Sequence, residues 1–296
     1  MRVLILGGTG MLGHKLWQTY RERYDTWMTC RSPVAAALPP PLLDPARTLG
    51  GVHATDFDTV VRAMAEVRPA VVINCIGIVK QLSAARDPIA SVTVNALFPH
   101  RLAELCRAAG ARLVHISTDC VFSGRKGMYT ESDATDAEDL YGRTKCLGEV
   151  TAPGCLTLRT SIIGRELRST TGLVEWFLSQ QGRRVRGYTR AIYSGLTTIA
   201  LAHVLAACLE RHRDLSGLYH VSAAPITKFE LLCRVRDAFG VAIDVEPEAA
   251  VQVDRSLNGR RFQAITGFTP PTWDAMVREL AADPSPYHEW RKLNGS

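Results

Sequence analysis

Arg2-Val3-Leu4-Ile5-Leu6-Gly7-Gly8-Thr9-Gly10-Met11-Leu12-Gly13 opens the chain, and its reading decides the fold. A short apolar run ends in glycines at 7, 10 and 13, and Leu12, Leu16, Trp17 and Tyr20 then recur at helical spacing. Strand, glycine turn and helix in that order are the context of a dinucleotide-binding turn. Glycine lets the backbone approach a pyrophosphate, and the helix N-terminus offers that anion free N–H groups and the positive end of its dipole. Gly7, Gly10 and Gly13, with Thr9, Met11 and Leu12 between them, are therefore the first expected cofactor contacts; the alternative is a plain tight turn.

Working outward, the next strand, Thr26 to Cys30, should end where an adenosine ribose would lie. An acidic residue there would hold the ribose hydroxyls of NAD, whereas this chain has Cys30-Arg31-Ser32. Arg31 points to a 2′-phosphate and so to NADPH, with NADH left open. The proline-rich stretch from Ser32 to Gly51 is expected to be ordered only in part. Asp56-Phe57 precedes a helix reaching Val67; a carboxylate beside an aromatic suits the flank of an adenine, or Asp56 simply caps the helix. Ala70 to Cys75 reads as a buried parallel strand. It runs into Ile76-Gly77, where glycine again brings backbone close to a cofactor, so Cys75, Ile76 and Gly77 join the expected contacts. A helix from about Ile89 to Ala109 carries Asn95, either a buried structural amide or a bridge to the catalytic segment. Arg112 to Ile116 then delivers Ser117-Thr118-Asp119-Cys120 to the C-terminal edge of the sheet, where ligands of open α/β sheets bind.

The catalytic candidates are Thr118, Tyr141 and Lys145. Tyr141-Gly142-Arg143-Thr144-Lys145 places phenol and ammonium one helical turn apart. A nearby cation favours phenolate, so Lys145 is expected to lower the Tyr141 pKa from its ordinary ~10 toward neutrality and to hold a nicotinamide ribose. Such a pair arises readily by chance, but its conjunction with an upstream glycine turn and a hydroxyl at a strand end is specific. The fold class is α/β: a Rossmann-type doubly wound parallel sheet with a smaller C-terminal substrate-binding lobe.

Composition agrees with a globular chain. At 296 residues with 46% hydrophobic and 22% charged residues, there is enough chain for one large domain or two unequal lobes. The first apolar run is too short for a signal peptide, and no stretch reaches the ~20 apolar residues of a membrane span, so a cytoplasmic protein without membrane association is expected. Eight cysteines show no CxxC pair and no zinc-ligand spacing, so reduced thiols and no metal are expected. The net charge of +6 comes from scattered arginines without a basic, aromatic-interleaved stripe, which argues against a nucleic-acid partner.

These residues resemble an extended short-chain dehydrogenase/reductase, and more closely the dTDP-4-dehydrorhamnose reductase family. The resemblance rests on Gly7 to Gly13, Arg68-Pro69-Ala70-Val71-Val72-Ile73-Asn74, Ser117-Thr118-Asp119-Cys120-Val121-Phe122-Ser123-Gly124, Tyr141 to Lys145, Leu158-Arg159-Thr160-Ser161 and Gly217-Leu218-Tyr219-His220. It implies NADPH-dependent reduction of the C4 keto group of a nucleotide-linked 4-keto-6-deoxyhexose, serving deoxysugar and polysaccharide biosynthesis, and a homodimer. Related 4,6-dehydratases carry glutamate where this chain has Cys120, which disfavours dehydration. The sugar is expected to meet Asp119, Cys120, Arg159, Arg190, Tyr193, Thr197 and Arg255, although Arg190 to Thr197 departs from the family's usual Gly-x-Pro-Thr. Arg183, Arg186, Arg260 and Arg261 are further candidates to face a diphosphate. Residues 1–162, with about 188–222 returning, form the expected dinucleotide-binding domain, and about 163–187 with 223–296 the substrate lobe. Two alternatives remain: a nucleotide-sugar epimerase, and a non-catalytic NADP-binding regulatory subunit like the branch that partners methionine adenosyltransferase.

Overall fold

The structure is a computed structural model describing residues 1–34, 38–39, 42–81 and 83–293. The chain runs through β1 (Arg2–Leu6), α1 (Met11–Tyr20), β2 (Asp25–Thr29), β3 (Thr48–Leu49), α2 (Phe57–Val67) and β4 (Val71–Asn74). A long helix follows as α3 (Pro88–Ser91), a π-helical stretch Val92–Leu97 and α4 (Phe98–Ala108), then β5 (Arg112–Thr118), α5 (Leu140–Leu147) and β6 (Cys155–Thr160). After it come β7 (Ile162–Ile163), α6 (Leu173–Leu178), β8 (Arg184–Tyr193), β9 (Leu196–Thr197), α7 (Thr198–Glu210) and β10 (Gly217–His220). The chain ends with β11 (Ile226–Thr227), α8 (Lys228–Phe239), β12 (Asp244–Asp254), α9 (Arg260–Thr266), α10 (Trp273–Ala281) and α11 (Tyr287–Leu293).

Seven strands pair in the order β10-β6-β5-β4-β1-β2-β3, all parallel. This is the 3-2-1-4-5-6 order of a doubly wound dinucleotide fold with one strand added. Its cause is visible in β1, where alternate residues go to opposite faces. Val3 and Ile5 join a core with Leu16, Trp17 and Tyr20 of α1 and Leu201 and Leu205 of α7, while Leu4 and Leu6 join another with Val60 and Met64 of α2 and Phe98 and Leu102 of α4. Apolar on both faces, the strand has to be covered twice. Its order reverses between β1 and β4, which leaves a crevice at their C-terminal ends.

The second lobe is built on the sheet β11-β8-β12, with β8 antiparallel to β11 and parallel to β12. Residues 184–193 therefore belong to this small sheet, and the return to the large one is made later than position 188, by α7 and β10. The end of the chain does not stay in the lobe either. Lys15 on α1 pairs with Asp283 at 2.6 Å in a buried bridge, and His14 Nε2 lies 3.1 Å from the Tyr287 hydroxyl. Partial order of the 32–51 stretch was expected; residues 35–37 and 40–41 lie outside the described residues, and the described part includes a 3-10 turn at Pro45–Arg47 and β3.

Candidate functional site

The glycine turn is pinned before it reaches the helix. Gly7 N–H donates to Thr29 Oγ1 at 3.2 Å and Gly8 N–H to the Thr29 carbonyl at 2.8 Å, stapling the turn to the end of β2. Gly7 has φ +80°, a left-handed conformation that glycine adopts freely. A Cβ at Gly13 would fall inside contact with the Gly7 carbonyl oxygen, so α1 starts directly beneath the turn only because Gly13 has no side chain. Gly10 caps α1 without a side-chain bond, leaving the first helical N–H groups facing the crevice. Leu12 is otherwise engaged: its side chain is core, so only its backbone can serve a ligand.

Three strand ends line up along this edge. A Cβ on Gly7 would stand 3.1 Å from Ile76 Cγ1 and 3.3 Å from the Cys75 carbonyl oxygen, so the turn rests on the segment after β4. β5 is the next strand over and ends at Thr118. A dinucleotide laid across β1, β4 and β5 would thus pass Gly7–Gly13, Cys75–Gly77 and Thr118 in turn. Arg31 is exposed just past β2, at the ribose end. Asp56 stands at the N-cap position of α2, but its carboxylate makes no capping bond there. Phe57 is half-buried, with the Arg101 guanidinium 4.0 Å from its ring centroid.

Thr118 and Tyr141 lie near each other at this edge. Asp139 caps α5 by accepting from Gly142 N–H at 2.7 Å, and Gly142 lets the helix press on the Cys120 carbonyl, where any Cβ would clash. Tyr141 is thereby brought close enough to Thr118 for that hydroxyl to lower its pKa. The expected tuning by Lys145 is not found. Burial raises the Tyr141 pKa well above its ordinary value, neighbouring Cys120, Asp119 and Asp139 add to this, and only the Thr118 bond opposes it. Lys145 instead donates from Nζ to the Ile116 carbonyl at 2.7 Å, and burial pulls its own pKa down to about 8. Helical spacing fixed which face the two share but not where the ammonium turns. Asn95 proves to be a bridge: its amide exchanges two 2.9 Å bonds with the Ile78 backbone and lies 3.4 Å from Thr144 Oγ1 on α5.

The sugar-facing candidates divide. Asp119 is buried beside Thr118, its carboxyl raised by burial against the pull of Cys120, Arg255 and Thr118. Burial pushes the Cys120 thiol up to about 12, so it stays protonated and cannot act as a proton-shuttling carboxylate would. Arg255 donates from Nε to the Phe122 carbonyl at 2.8 Å, near enough to Asp119, Cys120 and Asp139 to influence all three. Tyr193 is buried with its hydroxyl close to Ser161 and the Asp119–Cys120 turn, but not in hydrogen-bond geometry with either.

Two of the expected sugar contacts are otherwise engaged. Arg159 is 5% exposed and bidentate with Glu149, at 2.8 and 2.7 Å, so its guanidinium braces the framework and is not offered to a sugar. Thr197 is fully buried and caps α7 by accepting from Ala200 N–H at 3.2 Å. Arg190 lies on the outer row of β8 with Arg184 and Arg186, whose partners are Asp244, Glu246 and Glu248. Of the other lid candidates, Arg261 stacks 4.9 Å from the Tyr219 ring centroid. Lys228, half-buried at the start of α8 and acting on Asp119, escaped notice. A lysine in a first helical turn opposes the dipole, and that was the available signal.

Parallel sheet, glycine cradle and a Thr–Tyr–Lys constellation at one edge define an extended short-chain dehydrogenase/reductase. The chain belongs to the family described as "RmlD substrate binding domain", whose model matches residues 1–285. It is 29% identical over 264 residues to methionine adenosyltransferase 2 subunit beta of Danio rerio, covering 81% of this chain and 74% of that protein. It is 37% identical over 149 residues to a dTDP-4-dehydrorhamnose reductase of Streptomyces griseus, a match of 50% of this chain and 43% of that one. Among solved structures, a hypothetical dTDP-4-dehydrorhamnose reductase of Sulfolobus tokodaii superposes with TM-score 0.77 at 26% identity, over 93% of this chain and 99% of that chain.

Proposed function

We propose that the chain is an NADPH-dependent reductase of the C4 keto group of a nucleotide-linked 4-keto-6-deoxyhexose. The observation that carries this reading is the Thr118–Tyr141 pair, set at the C-terminal edge of β5 two strands from the glycine turn. The turn fits a dinucleotide because added side chains at Gly7 or Gly13 would fill the space it keeps open. The reduced nicotinamide would supply hydride to the sugar carbon. Tyr141, held protonated by burial, donates its phenolic proton to the developing alkoxide, and Thr118 steadies that oxygen by a hydrogen bond. Lys145, turned from Ile116, reaches a ribose hydroxyl. Asp119, Tyr193 and Arg255, with Lys228, supply the polar lining for the hexose. The polypeptide divides accordingly into a nucleotide-binding part and a lobe around β8, β11 and β12 that closes over the sugar. The reading places the protein in the cytoplasm, in polysaccharide precursor synthesis. Exposed Ile89, Val92, Leu97 and Leu147, on the α3–α4 and α5 helices, support two copies meeting there.

The test is oxidation of NADPH with a panel of dTDP- and UDP-linked 4-keto sugars, followed by determination of the product's C4 configuration. Tyr141→Phe should bind cofactor normally and lose about two to four orders of magnitude in turnover. A variant as fast as the parent would refute the assignment. A second reading, a non-catalytic subunit, is favoured by the long match to the methionine adenosyltransferase beta subunit. Stoichiometric co-purification of a partner, with no keto-sugar consumed, would select it.

A further inference from the structure

Arg31 is not the only guanidinium at the ribose end of the crevice. The loop at 164–172 leaves the second lobe and lies across the mouth of the cofactor cradle: a Cβ on Gly172 would stand 2.6 Å from Met11 Cε, in the first turn of α1. From this loop Arg168 reaches the chain just past β2, with Nη1 3.5 Å from Ser32 Oγ, and its charge acts on the Cys30 thiol. Ser32 is itself positioned, its carbonyl facing Cys30 Sγ at 3.2 Å, and β2 is stapled to the glycine turn through Thr29.

The loop is fixed on both sides of Arg168. Leu167 is 2% exposed and belongs to the main core. The Glu166 carboxylate accepts from Ser169 Oγ at 2.9 Å and Gly172 N–H at 2.8 Å, and the Glu166 carbonyl accepts from Arg291 Nη1 at 2.8 Å. Arg291 in turn pairs with Glu175, which also holds Arg165 at 2.5 Å. The Arg168 side chain is exposed, and the backbone that carries it is constrained before any ligand arrives. Sequence places Arg31 and Arg168 far apart; the fold brings Arg168 beside Ser32, the residue that follows Arg31.

We propose that Arg168, with Arg31 and the Ser32 hydroxyl, forms a two-sided clamp for the 2′-phosphate of NADPH, and that Arg168 is a determinant of cofactor choice. The proposal rests on the NADPH reading above. A 2′-phosphate carries up to two negative charges and three acceptor oxygens, which suits two planar guanidinium forks approaching from different elements. Arg31 is presented by the nucleotide-binding part and Arg168 by the loop over it, so the phosphate would also tie that loop down across the pyrophosphate.

The experiment is titration calorimetry with adenosine 2′,5′-bisphosphate and with AMP, on the wild type and on Arg31→Ala, Arg168→Ala and Arg168→Lys, each checked by its melting temperature. Arg168→Ala should weaken bisphosphate binding about tenfold, as expected for loss of one charge-assisted contact, and change AMP binding less than twofold. Arg168→Lys should recover part of the difference. If Arg168→Ala left the bisphosphate-to-AMP ratio unchanged, or weakened both ligands equally as a mere loop anchor would, the clamp is overturned. If the wild type bound the two ligands equally, the NADPH reading itself would fail, an outcome distinct from the first.

Discussion

Removing the Glu149 carboxylate should unsettle the strand end that carries the catalytic threonine. Glu149 accepts from Arg159 Nε and Nη2 at 2.8 and 2.7 Å and from Ser117 Oγ at 2.6 Å, and the side chains of the ion pair are each 7% exposed. Arg159 also faces His220 Nε2 at 3.3 Å and stacks 5.1 Å from the Phe122 ring centroid. Burial, reinforced by the Arg159 charge, lowers the His220 pKa to about 4, so the imidazole beside the guanidinium stays neutral; having no anionic form, it cannot replace the lost carboxylate. Glu149→Ala leaves a buried guanidinium unpaired, a loss of about 3–5 kcal/mol, and an orphaned Ser117 hydroxyl adds about 1 kcal/mol. Against a domain stability of about 5–15 kcal/mol this approaches unfolding, so Glu149→Gln, which keeps an acceptor oxygen, is the milder companion. The double variant Glu149→Met/Arg159→Met removes both charges and should lose much less than the sum of the single changes, with a coupling of about 2–3 kcal/mol. Urea denaturation at unchanged slope measures all four forms. Additive losses, or a single Glu149→Ala loss below about 1 kcal/mol, would refute the framework role. So would an Arg159→Met form of full stability with a raised KM, because that is the signature of a substrate contact.

Gly142→Ala adds a good helix former to α5, worth up to about 1 kcal/mol in isolation, yet its Cβ would clash with the Cys120 carbonyl. The expected result is a net destabilisation of about 1–3 kcal/mol and a larger fall in kcat than in cofactor affinity, since Tyr141 moves with the helix; a more stable, fully active variant would refute the close packing. Lys145 titrates at about 8 in the fold against 10.5 as its ordinary value. The native state therefore binds fewer protons than the unfolded chain between those limits, and stability from this group rises with pH across that window and is flat below it. Relative to Lys145→Met, the wild type should gain about 3 kcal/mol between the two pH limits, by denaturation at a series of pH values; a flat difference would contradict the buried ammonium. Ile89→Glu should convert a dimer to monomer in sedimentation equilibrium, and an unchanged mass would remove α3 from the interface.

Most of the nucleotide-binding part was legible because its strands are covered on both faces. Val71–Asn74 is apolar at nearly every position, and α2 ends at Val67 as expected. The second lobe was less so, for reasons in its residues. β8 alternates, but Arg184, Arg186 and Arg190 on its outer row hide the pattern from hydrophobic periodicity. β12 was missed altogether: it is mostly exposed and contains Pro247, which reads as a break although it is tolerated here beside an edge register shift. The Glu149–Arg159 pair depends on two strand registers and a loop, and no local spacing encodes that.

The same distinction governs the Tyr141–Lys145 pair, and it bears on the direction of the chemistry. Residues i and i+4 share a helical face, but whether an ammonium reaches the phenol depends on what else lies within its reach, and here a backbone carbonyl does. The phenol is left in an environment that is buried and flanked by acidic groups, which keeps its proton on. A group in that state is an acid for an alkoxide formed by hydride addition. An epimerase must first remove the proton of a C4 hydroxyl, which calls for phenolate, and dehydration would need an ionised carboxylate where the chain has a protonated thiol. The expected tuning of Tyr141 thus fails on where the ammonium turns, and the protonated thiol of Cys120 cannot supply the carboxylate that dehydration needs.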